Sequence, residues 1–246
     1  MKKPTPRQLQ VVRKETLTPN MLRITLGGED MAGFPEGRES ANFKLLIPDG
    51  SEKPLVRTYT VRNYDPAAGE VDVDFVLHTD HGPASHWAEH AQPGDPIGFA
   101  GPGSPKLVDF TADWFLIVGD MSALPAIGAN IEQLPEDARG YAVLEITDTE
   151  DQQQLPFPKG IEVQWVVSPD PSSCSTALQD AVISLPWLEG RAAVWAAGES
   201  GAVKALRRYF KFERDVAKAD LYTSGYWQIG LTEDRHQVVK RQESEG

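Results

Sequence analysis

The second half of this 246-residue chain alternates short apolar runs with segments of helical periodicity, and this rhythm most constrains its fold. Uniformly apolar runs of this length are typical of strands buried on both faces of a parallel sheet, and helices connect such strands. The sequence therefore predicts a doubly wound, Rossmann-like α/β domain. The predicted strands are 114–118, 141–146, 162–167, 192–197 and 221–227, and the predicted helices are 122–133, 175–185 and 200–212.

The first part of the chain has a different pattern, in which β-rich runs are bounded by Gly, Pro and Asn. Val71, Val73 and Phe75 alternate with aspartates, as expected of a strand with one buried face. Short strands at this spacing indicate a small Greek-key-like β-barrel. The predicted elements are strands 8–17, 21–26, 42–47, 57–62 and 71–78 and a helix over 83–91.

The net charge of the chain also differs between the part with the β pattern and the part with the alternating pattern. Residues 1–108 carry a net charge of −2 and residues 109–246 a net charge of −10. The boundary falls by a Gly/Pro-rich stretch, 94–105, which suits a linker or a set of tight turns. We therefore predict two domains, 1–108 and 109–246, the second ending in a charged C-terminal tail in which His236 is solvated.

Overall charge and cysteine content exclude several classes of function. A net charge of −12 repels polyanions, so we expect neither nucleic acid nor an anionic membrane surface as a partner. Cys174 is the single cysteine, which excludes an internal disulfide, a tetrathiolate zinc site and an iron–sulfur cluster. No secretory signal and no bilayer-spanning run is visible. We expect a cytoplasmic monomer.

The densest chemical motif is Arg57-Thr58-Tyr59-Thr60-Val61-Arg62. On a strand, Arg57 and Tyr59 face one way, whereas the two threonines and Arg62 face the other. A tyrosine can stack on a flat ring, a threonine hydroxyl can bond its edge, and an arginine can bind phosphate through its planar fork. The motif is equally compatible with a barrel strand that carries exposed arginines.

A second motif runs from His78 to Ala88 and contains three histidines. Gly82 and Ser85 open the predicted helix, whose free N–H groups and positive dipole end suit a diphosphate. The histidines suggest a metal, but no carboxylate or cysteine pattern nearby matches a familiar site. A phosphate-binding helix start is therefore favoured over a metal site, and a plain helix cap remains the alternative.

These two motifs, about 20 residues apart and in this order, resemble the siderophore-interacting protein family of flavin-dependent ferric reductases, in the ferredoxin reductase superfamily. The resemblance covers almost the whole chain and also rests on four later segments. These are Gly94-Asp95 with Gly98–Gly103, Val118–Ile127, Trp195–Glu199 and Gly225–Gly230.

The resemblance implies that the barrel binds FAD and that the flavin, not a catalytic side chain or a protein-bound metal, carries the chemistry. Arg57, Tyr59 and Thr60 would hold the flavin and ribityl portion, and Arg62 would hold the diphosphate with the Gly82–Ser85 helix start. The family often has Thr at Ser122 and usually Arg at Gln228. The full implied FAD set is Arg57, Thr58, Tyr59, Thr60, Arg62, Val76, His78, Gly82, Pro83, Ala84, Ser85, Ser122, Tyr226 and Trp227.

The resemblance also implies a nicotinamide nucleotide site at the carboxyl ends of the parallel strands. No Gly-x-Gly-x-x-Gly is present; Gly119 and Asp120 lie at the first strand–helix turn, and Glu199 ends a later strand. From the residue types alone, these could equally be ordinary turns. Residues 147–152 hold three carboxylates and no base, so we expect a slight preference for NADH over NADPH.

The implied activity is reduction of Fe(III) in a ferric siderophore by electrons from NAD(P)H through FAD, with release of Fe(II) in the cytoplasm. Ferredoxin is an alternative donor. Two other functions stay open: a flavoprotein reductase that passes electrons to a protein partner, and a non-catalytic module that binds iron chelates. The cations expected to hold the chelate are Lys44, Lys53, Lys240 and Arg241.

Overall fold

In a computed structural model, which describes residues 5–48, 53–77, 82–236 and 239, the chain divides into two compact units. The first comprises residues 1–106 together with 128–130, and the second comprises residues 107–127 and 131–246. Within the described ranges, no helix combines the length and the apolar character needed to cross a membrane.

The first unit is a seven-stranded antiparallel sheet with one helix, α1. The strand order is β4-β3-β7-β1-β2-β6-β5, so β7 returns from the end of the unit to pair with both β1 and β3. Its elements are β1 (Arg7–Thr18), β2 (Met21–Gly27), β3 (Asn42–Ile47), β4 (Leu55–Thr60), β5 (Asn63–Asp65), β6 (Glu70–Val76), α1 (Pro83–His90) and β7 (Pro96–Ala100).

A two-residue link brings the two edges of this sheet together. Val61 and Arg62 connect edge strand β4 to edge strand β5. The Val61 N–H donates to the Ala41 carbonyl at 2.9 Å, and the Arg62 N–H donates to the Asp72 carbonyl on β6 at 3.0 Å. The sheet therefore curls into a barrel-like form around an apolar core, which confirms the predicted Greek-key-like barrel.

The prediction that 94–105 is a linker or a set of turns is wrong for Pro96–Ala100, which forms β7 inside the sheet. The glycine that suggested a turn has another role. A Cβ added to Gly98 would lie 2.9 Å from the Leu46 Cβ on β3, closer than side-chain contacts allow. Gly98 thus permits a close approach of two paired strands.

The second unit is a five-stranded parallel sheet in the order β10-β9-β8-β11-β12. The chain runs outward from the central β8 to one edge, then returns beside β8 and runs to the other edge, so the predicted doubly wound fold is confirmed. Its elements are β8 (Trp114–Gly119), α2 (Leu124–Ile131, of which Gly128–Asn130 belong to the first unit), β9 (Arg139–Ile146), β10 (Gly160–Val167), α3 (Ala177–Ser184), β11 (Ala192–Glu199), α4 (Ser200–Phe212) and β12 (Leu221–Trp227).

The apolar strands β8 and β11 lie in the core of this unit. Every residue of β8 and all but the last residue of β11 are buried. Trp114 and Trp195 are fully buried. His236 differs from its prediction: it is 3% exposed, and its Nε2 lies 3.0 Å from the Ser200 Oγ. The charged sequence around His236 predicts exposure. The contact with Ser200 joins residues 36 positions apart, so the local sequence does not indicate it.

Candidate functional site

β4 carries the first group of candidate residues along one wall of the barrel. Arg57 pairs with Leu45 and Tyr59 pairs with Phe43 across β3, and both β3 residues are buried in the core. Arg57 therefore shares the face of the sheet that its apolar neighbours occupy. It is only 9% exposed, and its Nη1 donates to the Val56 carbonyl at 3.0 Å. A guanidinium held this far from solvent is a strong binding group for an anion.

Tyr59 is oriented by an aromatic cluster that joins three elements. Its ring centroid lies 4.4 Å from that of Phe75 on β6, and Phe75 lies 5.8 Å from Trp87 on α1. Tyr59 and Trp87 are partly exposed and pack against the barrel core. The Tyr59 ring is thus a rigid surface on which a planar group can stack.

The opposite face of β4 presents polar groups. The Lys44 ammonium on β3 donates to the Thr58 hydroxyl on β4. Lys44 is half-buried, and Thr60 is buried at the end of the strand. The structure therefore links one predicted FAD residue directly to one predicted chelate residue, which the sequence does not show.

Helix α1 starts as a diphosphate site requires. Gly82 is its N-cap and Pro83 its first residue, and the His86 N–H donates to the Gly82 carbonyl at 2.9 Å. Helix geometry then leaves the N–H groups of Ala84 and Ser85 without an intrahelical acceptor. The Ser85 hydroxyl does not cap the helix but donates to the Val76 carbonyl at 3.0 Å, which fixes the helix start to the end of β6.

These features fit a flavin dinucleotide. Two arginines, Arg57 and Arg62, are buried at 9% and 8% exposure, an aromatic ring lies between them in sequence, and helix N–H groups are available for phosphate oxygens. His78 lies outside the described residues, so its predicted role remains a prediction.

The two histidines of α1 contact each other. His86 and His90 stack with their ring centroids 4.3 Å apart, and His90 Nδ1 lies 2.8 Å from the His86 carbonyl oxygen. Among the described residues, no group of three or more His, Cys, Asp and Glu side chains could hold a metal ion. Both rings also border a groove of about 520 Å³ between α1 and the facing ends of β3 and β4.

In the second unit, the strand order reverses between β8 and β11, the place where open α/β sheets bind ligands. Gly119 ends β8 and pairs with Ala197 on β11. A Cβ added to Gly119 would lie 2.8 Å from the Ala197 carbonyl oxygen, so only glycine fits there. Asp120 follows β8 and Glu199 ends β11, at the positions that the sequence predicts for a nicotinamide site.

Asp120 joins the carboxyl ends of three strands. Its Oδ1 accepts from the Ser122 N–H at 2.9 Å and from the Ser122 hydroxyl at 2.5 Å. Its Oδ2 accepts from the Glu199 N–H and from the Trp227 indole N–H, both at 2.8 Å. Burial nevertheless raises the pKa of Asp120, against the effect of these hydrogen bonds. The Asp120 carboxylate thus bonds to groups within the protein, and its role in nicotinamide binding remains a prediction.

The Glu199 carboxylate also bonds within the protein, and its role in nicotinamide binding likewise remains a prediction. Its Oε2 accepts from the Ala202 N–H at 2.9 Å, which caps α4, and its Oε1 accepts from the Ile229 N–H at 3.3 Å. Burial raises the pKa of Glu145 on the neighbouring β9, and the charges of Asp120 and Glu199 raise it further. This edge of the sheet is therefore acidic and would repel an additional phosphate.

Three members of the implied FAD set lie in the second unit. Ser122 and Trp227 both donate to Asp120. Burial raises the pKa of Tyr226 well above its ordinary value, so its phenol stays neutral. Their contribution to FAD binding remains a prediction.

The predicted chelate residues are only partly described. Lys44 contacts Thr58 as stated above, and Lys53 is exposed just before β4. Lys240 and Arg241 lie outside the described residues. Gly128 is a further residue that the sequence did not single out: a Cβ added to it would lie 3.0 Å from the Arg62 guanidinium, and both residues belong to the first unit. An isolated glycine inside a predicted helix was the available signal.

The fold is that of the ferredoxin-reductase-like proteins. Ferredoxin–NADP+ reductase from Plasmodium falciparum is similar in fold, with a TM-score of 0.68 over 90% of this chain and 97% of that chain, at 12% identity. The model of the siderophore-interacting FAD-binding domain matches residues 10–53 and 48–106, and the model of the siderophore-interacting protein matches residues 112–230.

Individual relatives agree with these models. The ferric vibriobactin reductase of Vibrio cholerae is 36% identical over 94% of this chain and 92% of its own length. The siderophore-interacting protein SipS of Aeromonas hydrophila is 34% identical and has a TM-score of 0.87 over 98% of each chain. The chain belongs to the siderophore-interacting protein family, as its sequence motifs predicted.

Proposed function

We propose that this protein is an FAD-dependent ferric-siderophore reductase that takes electrons from NAD(P)H. The observation that carries the proposal is the set of flavin-compatible groups in the first unit: the buried Arg57 and Arg62, the Tyr59 ring and the helix start at Gly82. The similarity to a protein named ferric vibriobactin reductase supports the substrate class. Iron release in the cytoplasm is part of the same proposal.

FAD, when bound, supplies an exchange of one or two electrons between a nicotinamide and chelated Fe(III). The residues of this chain bind and orient. Arg57 binds the flavin and ribityl portion, and the Tyr59 ring supports its planar group. Arg62 neutralises phosphate charge, and the Ala84 and Ser85 N–H groups donate to phosphate oxygens. Hard oxygen chelators hold Fe(II) much more weakly than Fe(III), so one electron per iron suffices to free the metal.

An anaerobic titration tests the proposal against its alternatives. The FAD-loaded protein is mixed with NADH, NADPH or reduced ferredoxin, and loss of the oxidised flavin absorbance is followed before a ferric chelate is added. Reoxidation of the flavin by the chelate, with one Fe(II) formed per electron, supports the reductase. A protein that takes up no FAD would instead be a chelate-binding module, and reoxidation only by a protein acceptor would indicate the other class of reductase.

NADH is expected to reduce the flavin faster than NADPH at equal concentration. Asp148 and Glu150 follow β9, where a base would otherwise meet the 2′-phosphate, and Asp148 Oδ1 accepts from the Glu150 N–H at 2.9 Å. Salt screens part of the repulsion, so the ratio of the two rates should move toward one as ionic strength rises. Stopped-flow absorbance measures both rates, and faster reduction by NADPH would contradict the expectation.

Replacing Lys44 by alanine is expected to weaken binding of an anionic ferric chelate while flavin content stays unchanged. Lys44 is a half-buried cation beside β4, and one lost cation close to an anion typically lowers affinity severalfold, on the order of 1 kcal/mol. Quenching of protein fluorescence by the chelate measures binding at low and high salt.

Lys14→Ala is the matched control, because Lys14 lies on β1, which does not pair with β4, and its ammonium donates to the Glu89 carbonyl of the same unit. Lys53→Ala and a joint Lys240→Ala, Arg241→Ala variant test the remaining predicted cations. Equal chelate affinity in all variants, at low salt as well, would refute a cationic chelate site.

A further inference from the structure

The middle of helix α2 approaches one of the candidate FAD arginines unusually closely. A Cβ added to Gly128 would lie 3.0 Å from each of three Arg62 atoms, Cζ, Nε and Nη2. The helix backbone therefore lies against the guanidinium itself and not against the aliphatic stem of the side chain. Both residues belong to the first unit.

Glycine at position 128 has an unfavourable intrinsic helix propensity. Inside a helix, glycine costs roughly 0.5–1 kcal/mol relative to alanine, because it loses more backbone freedom on folding. Gly128 has no positive φ that would require glycine, since it lies within the regular span of α2. The close guanidinium contact is the structural feature that would be lost with a larger residue.

The backbone of Arg62 is fixed, so only its side chain can move away from a larger residue at position 128. Arg62 is only 8% exposed, and its backbone N–H donates to the Asp72 carbonyl. The helix is also anchored, because the Asn130 amide donates to the Lys106 carbonyl at 3.0 Å and lies 3.4 Å from the Ser40 hydroxyl. Ser40 in turn donates its N–H to the Val61 carbonyl, next to Arg62, at 2.9 Å.

We propose that Gly128 is a positioning residue for FAD: its missing side chain lets the guanidinium of Arg62 lie against α2 in the orientation that binds the diphosphate. This inference rests on the proposed FAD binding. The hydrogen bonds through Asn130 and Ser40 hold the helix and the arginine in register, so a side chain at position 128 displaces the guanidinium and not the helix.

A graded series at position 128 tests the proposal. Overpacking of this size should raise the dissociation constant of FAD roughly threefold in Gly128→Ala and at least about tenfold in Gly128→Val. The affinity is measured by quenching of flavin fluorescence on titration of apoprotein. Thermal unfolding of the same apoproteins is the second readout, and Gly128→Ala should have a Tm close to that of wild type, because the helix preference of alanine offsets the displacement of the Arg62 side chain.

The Arg62→Lys background separates positioning from general disturbance of the fold. A lysine ammonium is slimmer than a guanidinium and lacks its planar fork, so Gly128→Ala should change FAD affinity less than about twofold in that background. An equal loss in both backgrounds, or wild-type FAD affinity in Gly128→Val, would overturn the proposal. Wild-type apoprotein that binds no FAD would instead refute the proposed function.

Discussion

Replacement of Arg57 by alanine is expected to lower the affinity for FAD at least tenfold. Arg57 is 9% exposed on β4, so its guanidinium meets a bound anion with little competition from water. Loss of a charge-assisted hydrogen bond of this kind typically costs about 1.5–3 kcal/mol, which is a factor of ten or more. Titration of apoprotein with FAD, followed by flavin fluorescence, gives the dissociation constants.

Two variants make this measurement specific. Arg13→Ala removes the same charge from the same unit, but Arg13 is exposed and pairs with Glu70 on the barrel surface, so FAD affinity should stay at the wild-type value. Arg57→Lys keeps the charge without the planar fork and should fall between wild type and Arg57→Ala. Wild-type affinity in Arg57→Ala would remove Arg57 from the FAD site.

Replacement of Asp120 by alanine is expected to lower the free energy of unfolding of the second unit by about 3 kcal/mol. The substitution strands the Glu199 N–H and the Trp227 indole N–H, and each buried donor left unsatisfied costs about 1–3 kcal/mol. Relief of the buried carboxylate offsets part of this loss. Thermal unfolding should show a decrease in Tm of about 6–12 °C.

Ser122→Ala is the matched control, because it removes one of four donors to the same carboxylate and should cost less than about 1.5 kcal/mol. The pH dependence gives a second check. Burial raises the pKa of Asp120 above 3.8, so the folded state binds its proton more tightly than the unfolded state.

The stability contributed by this group is therefore present below its unfolded pKa and is lost as pH rises through the folded pKa. The difference in unfolding free energy between wild type and Asp120→Ala should shrink with rising pH in that window. A difference that grows with pH, or a variant as stable as wild type, would contradict the role assigned to Asp120.

The sequence alone predicts most of the architecture, because local patterns carry it. The continuous apolar run of β8 requires burial on both faces, and the amphipathic pattern of α4 requires one buried face, so a parallel sheet with covering helices follows. The same holds for the helix start at Gly82, where a Gly-Pro pair precedes a helical run.

The residues at strand ends could also be predicted, because ligand sites of open α/β sheets lie at the carboxyl ends of strands. For that reason, the sequence identifies Asp120 and Glu199 as candidate site residues. Their actual bonds were not predictable: Asp120 contacts Trp227, 107 positions away, and that pairing depends on the order of β8, β11 and β12 in the sheet.

Only the tertiary structure decided the features that rest on such distant pairings. Pro96–Ala100 contains a proline and a glycine, which are typical of turns. It nevertheless forms a strand, because it pairs with β1 on one side and β3 on the other. In the sequence, Gly128 is only a residue of low helix propensity. Its close approach to Arg62 is visible only in the tertiary structure. Periodicity and propensity describe a residue and its near neighbours, whereas close packing is set by which distant segments meet, and that information belongs to the whole fold.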